Sequence, residues 1–248
     1  MDWLEDLKER YPYYEKKGVV LLNADTKELI KTVPNEVFDA IITDPPYGLS
    51  FAPYDESSYV FFALEEEFYR VAKPNTPFVF WWTTKKLLEA SKLKRFAYVH
   101  LMIALFQSTY SKTPVGDRKY APIMFFAKGK PRLNCRWTDV LPAAELPPLA
   151  VKVKSGDFKP TFVQSMLVSM FTKENSLVFE PFAGYGTLPF VCSLWNRRCL
   201  AVEKDPIRFE IACMLLKRGT LPGSVPELED ELQRGIRQNT LLELMTEP

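Results

Sequence analysis

The sequence holds one histidine, His100, and four cysteines, Cys135, Cys192, Cys199 and Cys213, none of them in a CxxC pair. A zinc site of the usual Cys/His kind is therefore not expected, and the cysteines read as reduced, structural residues. No stretch approaches the roughly 18 consecutive apolar residues that cross a bilayer. The opening MDWLEDLKERYPYYEKK also lacks a basic region followed by a long apolar run. These absences point to a soluble, cytoplasmic protein without a membrane partner. Charge of one sign is missing too, because 32 Lys and Arg face 31 Asp and Glu. A net charge of +1 gives no general attraction to phosphate, so any polyanion has to be met by a local basic surface.

What is present fits one large α/β domain spanning residues 1–248, with 47% hydrophobic residues to fill a core. Short apolar runs rich in β-branched and aromatic residues read as buried strands: Val19 to Leu22, Phe38 to Thr43, Pro77 to Trp82, His100 to Phe106, Ile123 to Ala127, Leu177 to Glu180 and Cys199 to Glu203. Helical spacing predicts helices at Glu65 to Ala72, Thr84 to Phe96, Thr161 to Phe171, Thr187 to Asn196 and Pro206 to Arg218. Their alternation implies a Rossmann-like, mostly parallel, doubly wound sheet. Residues 98 to 127 break the rhythm and predict an antiparallel edge hairpin. Residues 128–158 hold Pro131, Pro142, Pro147 and Pro148 and read as a short irregular insertion. Residues 224–248 read as a helical tail that packs on the domain or on a second subunit.

Two runs carry chemistry. In FDAIITDPPYG, Asp44, Pro45, Pro46 and Tyr47 follow a buried strand at its carboxyl end, where open α/β sheets place ligands. The prolines remove two N–H donors and leave carbonyl oxygens beside a carboxylate. An aromatic amine is a poor nucleophile, since its lone pair is delocalised into the ring. Asp44 and the Pro45 carbonyl can accept its hydrogens, and Tyr47 offers a face on which a base can stack. An ordinary strand-ending turn is the bland alternative.

In LVFEPFAGYGTLPF, Glu180 ends a strand and is followed by Pro181, Phe182, Ala183, Gly184, Gly186 and Thr187 before a helix. The glycines let backbone approach a ligand, and an acid here suits an α-ammonium better than a pyrophosphate. One helix later, RCLAVEKDP places Glu203 and Lys204 at a strand end, where an acid can accept from ribose hydroxyls. Acid, loop and acid together favour S-adenosyl-L-methionine over NAD or ATP. If the strands ending at Thr43 and Glu180 are neighbours, the two loops share one crevice.

The two runs together resemble the amino-methyltransferases of DNA, the adenine N6 and cytosine N4 enzymes, with their [DNS]PP[YFW] and DPFxGxGT motifs. Catalytic motif first and cofactor motif second is similar to the beta arrangement of that family, over most of residues 18 to 218. Glu180 stands where the family usually has Asp. The resemblance further implies that Asp25, in NADTKELI, lies near the cofactor adenine. It also implies that Lys159, with Pro160 and Thr161 in FKPTFVQSML, lies near the methionine carboxylate. The implied activity is site-specific DNA methylation at the exocyclic amine of a base, adenine N6 ahead of cytosine N4.

An RNA or protein-glutamine amino-methyltransferase is the rival reading, although such families usually place the cofactor loop first. An inactive nucleic-acid-binding relative is another. Cytosine C5 chemistry needs a cysteine typically preceded by proline, and the sequence has no Pro-Cys pair. The DNA partner is met either as a duplex with the base flipped or as a single strand. Lys85, Lys86, Lys92, Lys94 and Arg95 read either as a phosphate contact or as a solvated helix face. Lys112, Arg118, Lys119, Lys128, Lys130, Arg132 and Arg136 have the better claim, flanking residues 128–158 as candidate target-recognition segment. Gly48 to Ser58, with Phe51 and Tyr54, is expected to cover the site, and Trp81 and Trp82 to pack in the core. A homodimer would help so short a recognition segment.

Overall fold

The computed structural model describes residues 2–49, 59–108, 111–143, 158–219 and 227–235. In chain order the elements are α1 (Asp2–Arg10), β1 (Tyr13–Lys16), β2 (Val19–Asn23), α2 (Thr26–Leu29), β3 (Ala40–Thr43), α3 (Tyr59–Ala63), α4 (Glu65–Val71) and β4 (Pro77–Trp81). A 3-10 helix (Thr84–Lys92) leads to β5 (Ala97–Leu105), β6 (Ser111–Thr113), β7 (Gly116–Arg118), β8 (Tyr120–Ala127) and β9 (Val140–Pro142). The chain continues through α5 (Thr161–Phe171), β10 (Leu177–Glu180), α6 (Thr187–Leu194), β11 (Arg198–Glu203) and α7 (Pro206–Arg218).

Nine strands form one sheet in the order β1-β2-β11-β10-β3-β4-β8-β5-β9, and β6 pairs only with β7. The central strands β2, β11, β10, β3 and β4 run parallel. Their sequences are continuously apolar because both faces are covered. Within each, successive side chains alternate: Val19 and Leu21 join one core layer with α5, α6 and α7, while Val20 and Leu22 join the other. The second layer is aromatic, with Phe38 stacked on Phe179 at 4.5 Å and Phe61 beside Phe68, Phe78 and Phe80.

Each strand read from the sequence is present, and the doubly wound fold class holds. Three readings need correction. The antiparallel pair β5 and β8 exists, but it is not the sheet edge, because β9 adds outside β5 in parallel. β9 itself lies inside the segment read as irregular. The described part of that segment is tied to α5 by Asn134 N–H donating to Met170 O (2.8 Å) and Trp137 Nε1 to Ser169 Oγ (3.2 Å). Residues 144–157 lie outside the described residues.

Thr84 to Phe96 is not one α-helix either. Lys86 leaves helical geometry (φ −126°, ψ 27°), its carbonyl accepting from Trp82 Nε1 and its Nζ donating to Gly48 O, both at 2.8 Å. Downstream, the buried Glu65 carboxylate accepts the N–H groups of Lys94 and Arg95 at 2.7 and 2.6 Å and fixes an extended exit. Side-chain partners from elsewhere in the fold override the helical spacing here.

The described part of the tail packs on the domain. Residues 227–235 are helical, Leu228 is buried against Tyr185 and Ile211, and Tyr185 Oη donates to Glu229 Oε1 at 2.5 Å. The expected cover at Gly48 to Ser58 falls almost wholly on residues 50–58, outside the described residues.

Candidate functional site

The sheet changes direction between β10 and β3: from β10 the chain winds through α6 to β11 on one side, and from β3 through α4 to β4 on the other. At such a switch point the loops following the two strands separate and leave a crevice. The Asp44 and Glu180 loops both start there, since β10 and β3 pair directly, with Phe179 opposite Ile41. Thr43 Oγ1 joins the strand ends by donating to Glu180 Oε1 at 2.5 Å. The cleft above them has a volume of about 1280 Å³. That exceeds the roughly 300–1,000 Å³ of a single-ligand pocket and leaves room for two reactants.

One half of the cleft gathers the acids and the glycine loop of the second run. Glu203 takes Gly184 N–H on Oε2 (2.7 Å) and Asp205 N–H on Oε1 (2.8 Å), so both oxygens are oriented while each keeps a lone pair for another donor. Burial pushes its carboxyl up to about 7, against the Asp205 N–H, the Arg208 charge and the Gly184 N–H. Asp25 caps α2 by accepting Lys27 N–H (3.0 Å) and pairs with Lys204 at 2.9 Å. Burial works against the Asp25 charge, but Lys204 and the Lys27 N–H outweigh it and hold Asp25 below its ordinary value. Glu180 is almost fully buried, and that desolvation raises it well above the usual carboxylate range despite Thr43 and the Phe182 N–H. A buried carboxylate in that condition favours an incoming cation.

The glycines divide their roles. Gly184 (φ +54°) lines the cleft, and a Cβ there would meet nothing within 4 Å, so ligand can approach its backbone. Gly186 (φ +81°) instead faces α7, where a Cβ would lie 2.7 Å from Ala212 Cβ. It packs against α7 and is not among the residues that line the cleft. Gly186→Ala is therefore expected to destabilise by about 1–3 kcal/mol, from overpacking and left-handed strain. Gly184→Ala is expected to lose less stability but more ligand affinity. Urea melts and calorimetric titration of the pair check this, and equal stability losses would remove the distinction.

The other half holds the DPPY turn. Tyr47 Oη donates to Asp44 Oδ1, and Lys159 Nζ lies 2.6 Å from Asp44 Oδ2. Lys159 sits at the entry to α5, its side chain only 9% exposed, with Nζ 5.8 Å from the Tyr47 ring centre and 5.4 Å from that of Trp81. The Tyr47 ring meets Trp82 edge-on at 5.8 Å. Trp81 and Trp82 are both buried, as expected, and Trp82 also forms cleft wall.

Two contributors escaped the sequence reading. Gln164, on α5, lines the cleft 3% exposed, and its Oε1 is buried without a hydrogen-bond partner. Its only signal was a polar residue within the apolar helix TFVQSMLVSMF. The strand pairing of β6 with β7 is the other; it brings Lys112 and Arg118, already read as candidate phosphate contacts, to the rim, with Arg118 Nη1 donating to Thr84 Oγ1.

The basic segments separate accordingly. Lys85, Lys112 and Arg118 line the cleft. Lys128, by contrast, follows β8 at the amino end of β4, where its Nζ donates to Ala72 O (2.7 Å) and Tyr69 O (3.0 Å). It closes the carboxyl end of α4, and neither it nor Lys130, Arg132 or Arg136 is among the residues lining the cleft.

No family model matches the chain. YubD of Escherichia coli (strain K12), described as a methylase, is 27% identical over 73% of this chain and 83% of its own length. The type II methyltransferase M2.LlaDCHI of Lactococcus lactis subsp. cremoris is 23% identical over 86% of this chain and 94% of its own. Among solved structures, the M1.HpyAVI–SAM complex superposes with a TM-score of 0.64 at 18% identity, covering 79% of this chain and 98% of that one. PvuII DNA methyltransferase, cytosine-N4-specific, gives 0.68 at 16% identity, covering 88% and 92%. The chain thus has the Rossmann-like fold of the S-adenosylmethionine-dependent methyltransferases and is a sequence relative of type II methyltransferases.

Proposed function

We propose that this chain is an S-adenosylmethionine-dependent DNA methyltransferase that modifies the exocyclic amine of a base lifted out of its stack, adenine N6 by preference. One observation carries the reading: a carboxylate followed by two prolines and a tyrosine shares a cleft, across a switch point, with the buried Glu180 and half-buried Glu203 carboxylates, which suit an amino-acid-bearing nucleoside. The likeness to type II methyltransferases supports it, as does the cofactor named for the M1.HpyAVI complex.

Glu203 accepts the ribose hydroxyls on its remaining lone pairs, with Asp25 near the adenine. Glu180 and Gln164 accept the ammonium, and Lys159 meets the carboxylate. S-adenosylmethionine, when bound, supplies a methyl group activated by its sulfonium sulfur and keeps the C–S bonding electrons on that sulfur. Asp44 and the Pro45 carbonyl accept the two hydrogens of the target amine, drawing its lone pair out of the ring and toward the methyl carbon. Asp44 stands where the amine proton would leave. Tyr47 and Trp82 provide aromatic wall for the base, while Lys85, Lys112 and Arg118 meet backbone phosphates.

Nucleoside mass spectrometry of DNA incubated with protein and labelled S-adenosylmethionine tests this. Label in N6-methyladenine is expected, with DNA affinity falling as salt rises. Label in N4-methylcytosine would replace the base assignment, and label confined to RNA would overturn the DNA assignment. Absence of transfer to any nucleic acid would overturn the whole reading.

A further inference from the structure

The proposed mechanism requires Asp44 to receive a hydrogen of the amine, yet both of its oxygens are engaged. Tyr47 Oη donates to one, and the ammonium of Lys159 lies 2.6 Å from the other. The lysine contact matters more, because it neutralises the charge that makes Asp44 a strong acceptor. The same ammonium is 5.8 Å from the centre of the Tyr47 ring, the surface a base would stack on. Lys159 therefore opposes the base twice, by its charge and by its position.

Its surroundings indicate where it goes instead. Gln164 presents a buried, unpartnered acceptor oxygen to the same cleft, and Glu180 presents a buried carboxylate raised by desolvation. Two acceptors beside one cation complement an α-amino-acid zwitterion, ammonium to the acceptors and carboxylate to the lysine.

We infer that Lys159 is a positioning residue that exchanges partners: it holds Asp44 in this arrangement and passes to the carboxylate of the cofactor's amino-acid end, releasing Asp44 for the target amine. This rests on the cofactor assignment made above. Cofactor binding then arms the catalytic carboxylate, and the cofactor precedes the base.

The exchange makes Asp44 a competitor of the cofactor carboxylate for one lysine, which calorimetric titration with S-adenosylhomocysteine can read without knowledge of the DNA target. Asp44→Asn removes the competing charge while keeping shape, and is expected to tighten binding roughly fivefold, the scale of one partly exposed ion pair. In a Lys159→Met background the same change is expected to have no effect. Methylthioadenosine, which lacks the amino-acid end, should bind wild type and Asp44→Asn alike. Unchanged S-adenosylhomocysteine affinity in Asp44→Asn overturns the exchange. So does tightening that persists in Lys159→Met, since simple repulsion between Asp44 and the cofactor would then explain it. Failure of wild type to bind S-adenosylhomocysteine at all would instead sink the cofactor assignment.

Discussion

Replacing Asp44 with alanine is expected to lower methyl transfer by at least two to three orders of magnitude while S-adenosylhomocysteine still binds. The scale is that of removing a single hydrogen-bonding group aimed at developing charge in a transition state, roughly 10²–10³ in rate. In the proposed mechanism Asp44 accepts one hydrogen of the amine beside the Pro45 carbonyl, and alanine offers no acceptor. The variant also strands the Lys159 ammonium, 9% exposed and paired with Asp44 in the structure, so some loss of stability is expected as well. Asp44→Asn keeps one acceptor oxygen and should lie between the two in rate. Measuring transfer and cofactor affinity on the same preparations separates chemistry from folding. Transfer within a few-fold of wild type in Asp44→Ala would remove the residue from the mechanism.

The second large effect concerns Glu203. Both of its oxygens are fixed by backbone N–H groups, and burial has pushed its carboxyl up to about 7. A protonated carboxyl loses one acceptor position and its charge, so cofactor binding is expected to weaken below about pH 7, approaching tenfold per pH unit. Glu180 is raised as well and faces the ammonium, so it acts in the same direction. Glu203→Gln should weaken S-adenosylhomocysteine binding about tenfold or more at pH 8, the scale of a hydrogen bond to a charged group. It should also flatten the pH dependence to the part carried by Glu180. A wild-type affinity that stays constant between pH 8 and pH 6 would argue against Glu203 as the ribose acceptor.

Stability should move oppositely. A carboxyl whose folded value is raised favours folding while it is protonated. That contribution is complete below the unfolded value near 4.5 and is lost as pH rises through about 7. Without ligand, the wild-type protein is therefore expected to melt lower at pH 8 than at pH 5.5. Glu203→Gln should recover part of the difference, up to about 2 kcal/mol between those two pH values. The residue that costs stability at neutral pH is thus the one proposed to hold the nucleoside.

The buried strands were legible because a strand covered on both faces has to be apolar throughout, and VVLL, AIIT, PFVFW and LVFE are. The strands β1, β6, β7 and β9 left no such mark. They are short and partly exposed, with sequences such as YYEK and GDR, and owe their form to a paired neighbour. The 3-10 segment after β4 reads as a longer helix until Glu65, twenty-nine residues upstream of Lys94, is seen to take its exit N–H groups. Likewise, a glycine-rich loop announces close approach but not its partner, and only the packing assigns Gly184 to the cleft and Gly186 to Ala212.

By itself the sequence determined which residues end the buried strands, and hence that Asp44, Glu180 and Glu203 lie at carboxyl ends of a parallel sheet. Burial on both faces is a local requirement, written residue by residue. Tertiary structure alone decided which of these ends are neighbours, that Lys159 reaches Asp44, and that Lys128 is drawn to the carboxyl end of α4. Those relations depend on strand order and direction, which bring together residues 115 or more positions apart and which no local pattern of side chains encodes.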